Sequence, residues 1–260
     1  MEIKVITLNL RYDKPDPGDY AWTIRKQAVT ALITHYAPDI IGTQEGKAHQ
    51  LLDLHRSLPD YLSVGGDRTG TGTSEYCAIF YNTQRLRCLS NGDFFLSDTP
   101  EIPGSISPNW GNPIPRMVTW AVFAVVGEDK QITVFNTHLD YKSEKARELS
   151  VQLLRDRFSH LNPDNSYLFL TGDFNADPGT LPRELLQHPL PNNIVLHDAL
   201  ADVALEHQVS FHDFTGEAFV AVDTLYYDSR VKLRQIKVDH QRWQGIWPSD
   251  HFAIVADFAV

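Results

Sequence analysis

The sequence predicts an α/β fold in which two mixed β-sheets pack face to face with helices on the outside. Three observations lead there. Strand-like and helix-like segments alternate along the chain, a run of strands with little helix between them interrupts the alternation, and at 260 residues the chain has the length of one large domain, 1–260. A single core can grow to about 250–300 residues before it splits. Strands and helices in these numbers bury their apolar faces most simply as two stacked sheets under covering helices.

The elements follow in order. Ile3–Leu10 alternates apolar and polar residues and reads as a strand. Trp22–Tyr36 reads as a helix through Ile24, Ala28, Ala31, Leu32 and His35. Pro38–Glu45 is an Ile-rich second strand and Ala48–Leu58 a short helix. Tyr76–Asn82, Leu86–Ser90, Met117–Val126 and Gln131–Leu139 then read as consecutive strands of one antiparallel meander. The Pro- and Gly-rich stretch Asp98–Pro115 between two of them reads as a surface loop flanking a site. Ser143–Leu161 is the clearest helix, with Ala146, Leu149, Leu153, Leu154, Arg157 and Phe158 at helical spacing and Ser143 as N-cap. Tyr167–Gly172 is a short buried strand, a helix is expected near Arg183–Gln187, and Ala221–Tyr227, Val231–Val238 and Phe252–Phe258 are the closing strands.

Composition narrows the function. No apolar run approaches the roughly 20 residues needed to cross a bilayer. The chain opens directly into a strand rather than into a secretory signal, so it reads as cytoplasmic. Its two cysteines, Cys77 and Cys88, have no metal-type spacing. The formal net charge is −10, and the longest basic stretch, Arg230–Lys237, alternates charge with apolar residues as a half-exposed strand does. A protein that grips long nucleic acid carries a basic stripe instead. A small phosphoester, or a short nucleic-acid segment held by a metal, stays compatible.

Polar residues recur where the predicted strands end. Asn9, Gln44-Glu45, Asn136-Thr137-His138, Gly172-Asp173-Phe174-Asn175 and Ser249-Asp250-His251 all sit at such junctions. Each alone has an ordinary explanation: a turn, an edge-of-core amide, a hydrogen-bonded structural histidine. Together they supply the donor set of metal-assisted phosphoester hydrolysis. Mg²⁺ or Mn²⁺ takes oxygen ligands with one or two protein carboxylates, which Glu45 and Asp250 can provide. Asp173 suits activation of water, and the histidines suit proton or hydrogen-bond donation to the phosphoryl group. The eleven histidines show no zinc-type spacing, which puts zinc behind magnesium or manganese.

At these residues the chain resembles the endonuclease/exonuclease/phosphatase superfamily, which includes DNase I, apurinic endonucleases and inositol polyphosphate 5-phosphatases. The likeness runs in order through Thr7-Leu8-Asn9, Pro38–Glu45, Asn136–Asp140, Thr171–Asn175, Val222–Leu225 and Ser249–Phe252. It implies a four-layer α/β sandwich of DNase I type with the site at one rim. It also implies Glu45 as principal metal ligand with Asn9 and Asp250 close to the metal, Asp173 as the water-activating carboxylate, and Asn175 as its partner. His138 would contact phosphate, and His251 would be the terminal catalytic histidine oriented by Asp223. Two departures stand out: Arg11 occupies a position where apurinic endonucleases have Asp, and the Asp223 motif reads Val-Asp-Thr-Leu rather than Ile-Asp-Tyr-Ile. Arg11 and Arg116 are the basic residues nearest the site elements and are candidate substrate contacts. The expectation is a metal-dependent phosphatase or phosphodiesterase acting on a small or short phosphoester. A nuclease using the same site is the alternative, and a non-catalytic binding module is disfavoured because Glu45, Asp173 and His251 are all present.

Overall fold

A computed structural model describes residues 1–162, 166–191 and 193–260. Its strands form two six-stranded sheets. The first contains β1 (Glu2–Asn9), β2 (Ile40–Gln44), β3 (Tyr61–Val64), β4 (Ile79–Asn82), β11 (Lys232–Asp239) and β12 (Ala253–Ala259), in the order β11-β12-β1-β2-β4-β3. The second contains β5 (Leu86–Phe95), β6 (Met117–Val125), β7 (Gln131–His138), β8 (Ser166–Asp173), β9 (Leu196–Asp198) and β10 (Asp223–Asp228), in the order β5-β6-β7-β8-β10-β9. Each sheet centres on one parallel pair, β1 with β2 and β7 with β8. Parallel neighbours need a crossover. The helices α1 (Trp22–Tyr36) and α3 (Glu144–Leu161) supply the two crossovers.

Three apolar clusters define four layers. Val5, Ile40 and Ile254 of the first sheet meet Phe123, Val134 and Phe169 of the second. The outer face of the first sheet, with Ile6, Leu8 and Phe80, packs on Leu32 and Ile33 of α1 and on Leu54 of α2 (Ala48–Ser57). The outer face of the second, with Phe135, Leu168 and Leu170, packs on Leu154 and Phe158 of α3 and on Leu186 of α4 (Leu181–Leu186). The α3 N-terminus is capped as its sequence predicts, since Ser143 Oγ accepts from the Ala146 N–H at 3.1 Å. Among the described residues no helix is long and apolar enough to cross a membrane.

Several expectations change. β4 pairs with β2 and β3, so it belongs to the first sheet, and the meander starts only at β5. The short Asn82–Arg85 link looks like a hairpin turn but carries the chain from one sheet to the other. β3 and β9 escape notice because they are four and three residues long and lack alternation. The buried face of α1 is Trp22, Arg25, Ala28, Val29, Leu32, Ile33 and Tyr36, whereas Ile24 and His35 face solvent. The basic stretch near the C-terminus is the edge strand β11, as its alternation implies.

Strand register gathers the strand-end residues. Asn9 lies opposite Gln44, His138 opposite Asp173, and Asp173 opposite Asp223. Beneath this rim the space between the sheets turns polar. Gln44 Nε2 donates to Thr7 Oγ1 at 3.1 Å and to Asn136 Oδ1 at 2.7 Å, and Thr171 Oγ1 donates to the same Asn136 oxygen at 3.0 Å. Gly42 makes the approach possible: a Cβ there would lie 1.9 Å from Thr171 Oγ1.

Candidate active site

Three chain segments leave the rim through non-glycine residues with left-handed backbone: Arg11 (φ 55°), Glu45 (φ 64°) and Asn175 (φ 47°). That conformation is costly outside glycine and concentrates where a site over-determines the backbone. Here the side chains supply the compensating bonds. Asn9, fully buried, donates through Nδ2 to Glu45 Oε1 at 3.1 Å and to Asp173 Oδ2 at 3.0 Å, and its Oδ1 accepts from the Arg11 N–H at 2.9 Å. Glu45 Oε2 accepts from the Tyr12 N–H at 3.1 Å. Asp173 Oδ1 accepts from the Asn175 N–H at 3.0 Å, and Asn175 Nδ2 donates to Leu139 O at 3.0 Å. Asn9 thus turns its donor side to the two carboxylates, and its oxygen is engaged by the backbone.

The histidines differ in charge. His251 Nδ1 lies 2.7 Å from Asp223 Oδ2, an oxygen that also accepts from Ser210 Oγ at 2.6 Å. Burial pushes the His251 pKa down, but the carboxylates of Asp223, Asp250 and Asp173 outweigh it and hold it at about 10. His251 is therefore an imidazolium at neutral pH. His138 Nε2 stands 3.4 Å from Asp173 Oδ2, yet burial and then the Arg116 charge keep it well below the ordinary histidine range, so it is neutral. Burial, followed by the Asp223 charge, raises Asp173 to about 7. Asp250 is also raised, first by burial and further by Glu45.

This crowding is what a cation would relieve. Asp173, Asp223 and His251 offer ligand atoms within 4.8 Å of one another, but the His251 ring is already charged and committed to Asp223. Glu45 and Asp250 present carboxylate oxygens to one cavity, and burial, with the Glu45 charge adding to it, raises Asp250, a setting suited to a hard cation. Arg11 Nη1 is 3.4 Å from Asp250 Oδ2.

All ten residues expected from sequence are at or beside this rim: eight line one cavity of about 640 Å³, and Asn9 and Asp223 are hydrogen-bonded to its walls. Tyr12, Arg68, Glu75, Tyr141 and Phe211 line it as well. Ile114 and Arg116 bring in the end of the irregular stretch 98–115, as expected of a loop flanking a site.

Sequence reasoning missed two positioning arginines. Arg25, fully buried in α1, donates to Leu10 O, Arg11 O and Pro248 O at 2.9, 3.1 and 2.8 Å, tying the exit of β1 to the segment before Asp250. Arg183 of α4, 1% exposed, reaches Ala176 O and Ala221 O at 3.1 and 3.4 Å, tying the loop after Asn175 to the segment before Asp223. The signal was present in α1: Arg25 stands three residues from both Trp22 and Ala28, on the apolar stripe.

The family model described as "Endonuclease/Exonuclease/phosphatase family" matches residues 6–251. An uncharacterized protein of Acanthamoeba polyphaga mimivirus is 32% identical over 201 residues, covering 74% of this chain and 72% of that protein. Among solved structures, a mannosyl-6-phosphatase of Bacteroides thetaiotaomicron superposes with TM-score 0.89 at 28% identity, covering 99% of this chain and all (100%) of that one. An endonuclease/exonuclease/phosphatase from Bacteroides vulgatus gives TM-score 0.91 at 27% identity, with 100% and 99% coverage. D. rerio TDP2 complexed with a single-strand DNA product shares the fold at TM-score 0.77 and 14% identity.

Proposed function

The chain belongs to the endonuclease/exonuclease/phosphatase family, whose members hydrolyse phosphoester bonds and generally use divalent metals, and from that premise we propose a one-domain, Mg²⁺- or Mn²⁺-dependent hydrolase of a compact phosphoester. The observation that carries this reading is the buried Asp223–His251 pair facing Asp173 at the wall of a cavity of about 640 Å³, with Glu45 and Asp250 beside it. A cavity of that size suits a small organic substrate. The similarity to a protein named a mannosyl-6-phosphatase supports a small polyhydroxylated one, and the net charge of −10 disfavours extended nucleic acid.

Glu45 and Asp250 would hold the metal, which when bound polarises a phosphoryl oxygen and offsets charge building there. Asn9 keeps the Glu45 and Asp173 carboxylates in place through its amide N–H groups. Asp173, raised to about 7, is poised to take a proton from the attacking water near neutral pH. Asn175, fixed by Leu139 O, orients that water. His251, kept charged by Asp223, donates from Nε2 to the phosphoryl group in the transition state, and neutral His138 contributes a further hydrogen bond. Arg11 and Arg116 contact the anionic substrate.

The test is hydrolysis of p-nitrophenyl phosphate and bis-p-nitrophenyl phosphate with Mg²⁺, Mn²⁺ and EDTA. Activity is expected only with metal. Asp173→Asn should lower kcat by roughly 10²–10⁴-fold with a smaller change in KM. Metal-independent turnover, or an Asp173→Asn variant near wild-type rate, refutes the assignment; rapid plasmid nicking at physiological salt favours a nuclease.

A further inference from the structure

Beside the residues assigned above lies a second group of charges. Arg68 donates to both Glu75 oxygens, at 2.6 and 2.7 Å. The next residue, Tyr76, donates its N–H to Gly46 O at 2.8 Å, so this segment is anchored next to Glu45. Arg116 is 4% exposed, its Nε has no hydrogen-bond partner, and the acid nearest to it, Asp140, is 3.6 Å away with its own Oδ2 unpartnered. A buried guanidinium left short of acceptors is costly unless something completes its shell. Arg68, Glu75, Arg116, Glu45 and His138 line a recess of about 10 Å³ that shares its walls with the larger cavity. That volume admits about one water-sized atom. It has room for an oxygen and none for a carbon chain or a second phosphate group.

We propose that this recess receives one terminal oxygen of the scissile phosphate, so that Arg116, with Arg68 beside it, selects phosphomonoesters over phosphodiesters. The inference rests on the phosphoesterase reading and deepens it. A monoester presents three non-bridging oxygens, so one can enter the recess while the others face the Glu45 side, where a metal would be held, and the His138, Asn175 and His251 side. A diester presents only two, so once one enters the recess a carbon-bearing ester oxygen, which the recess itself cannot admit, must take a position that the monoester fills with a charged oxygen. The dianion of a monoester also matches two guanidinium groups better than the monoanion of a diester. Glu75 is a positioning residue, holding the Arg68 fork in place by its two-pronged hydrogen bond.

The test compares kcat/KM for p-nitrophenyl phosphate and bis-p-nitrophenyl phosphate, and measures inorganic phosphate binding to the Mn²⁺-loaded protein by calorimetry. Arg116→Met should lower the monoester-to-diester ratio about 10²-fold, the scale of a charge-assisted hydrogen-bond pair. It should weaken phosphate binding by about tenfold or more, with Arg116→Lys intermediate. Arg68→Gln, which spares the buried position should Arg116→Met fail to fold, should weaken phosphate binding in the same sense. An unchanged ratio, or phosphate binding equal to wild type in these variants, overturns the proposal. Loss of both esterase activities in wild type would refute the phosphoesterase reading instead, and the phosphate titration would still decide whether the recess binds its anion.

Discussion

Replacing Arg183 with methionine is expected to be among the most damaging changes outside the cleft. The guanidinium is 1% exposed and donates to Tyr226 Oη at 2.6 Å, to Ala176 O and Ala221 O, and to Asp198 Oδ2 at 2.5 Å. Methionine fills much of the volume but removes every one of those bonds. Asp198, 8% exposed, keeps only Thr224 Oγ1 at 2.6 Å and the Leu200 N–H at 3.0 Å, on its other oxygen. Removing one partner of a buried ion pair costs about 3–5 kcal/mol, because the other charge stays buried. A chain of this kind is stable by about 5–15 kcal/mol in all. At roughly 2–4 °C per kcal/mol, Tm should drop by about 6–20 °C. Thermal unfolding followed by circular dichroism measures the Tm shift, and urea unfolding the free energy. The double variant Arg183→Met/Asp198→Leu should recover a good part of the loss, because no charge is then left unpaired. A single-variant loss below about 1 kcal/mol, or a double variant as unstable as the sum of the singles, would refute the reasoning.

Two further outcomes follow from the same structure. Gly42→Ala should destabilise the protein by about 1–3 kcal/mol, since the new methyl meets Thr171 Oγ1 at 1.9 Å and Asn136 Oδ1 at 2.8 Å; a urea midpoint within error of wild type would contradict it. His212, fully buried and stacked on Phe252 with ring centroids 4.0 Å apart, is lowered to about 4, first by burial and then by the His251 charge. The unfolded chain protonates this group near 6.5 and the folded one only near 4, so stability should be lost as pH falls through that window, by at most about 3 kcal/mol. His212→Gln should remove that part of the acid slope, and an unchanged slope between pH 6.5 and 4 would refute the assignment.

How much of this was legible in the sequence depended on whether the signal was local. The strand ends at Asn9, Glu45, His138, Asp173 and Asp250 could be seen because a polar residue directly after an apolar run, or for Asp250 directly before one, is a local event. That His138, Asp173 and Asp223 share one register could not, because it depends on β10 pairing with β8 at a sequence separation of 50 (173 to 223). The sheet to which Ile79–Asn82 belongs was equally hidden, since the three-residue link 83–85 looks the same whether the chain turns back or crosses over. Arg68 went unnoticed for a different reason. Its partner Glu75 lies in an irregular Gly- and Thr-rich stretch with no periodicity to mark either side chain as inward.

Arg25 and Arg183 show how buried arginines frame the proposed anion site of an acidic protein. Arg25, above the first sheet, and Arg183, above the second, each join a segment leaving one strand to a segment approaching another. Neither lines the cavity, yet between them they fix the backbone beside Arg11, Asp250, Asn175 and Asp223. Arg25 is lowered to about 10 by burial, offset in part by Asp250, so its charge is retained and acts on a carboxylate of the site. Inside the cavity the guanidinium groups are Arg11, Arg68 and Arg116; Arg68 and Arg116 are each opposed by one close acid, Glu75 and Asp140, and Arg11 by two, Asp250 and Asp16. Such pairs leave the total charge untouched but let a bound anion draw on guanidinium groups already held in place, which lowers the entropy lost on binding. A compact phosphoester would thus meet three fixed arginines, while part of the −10 balance is carried by buried carboxylates such as Asp173, Asp223 and Asp250.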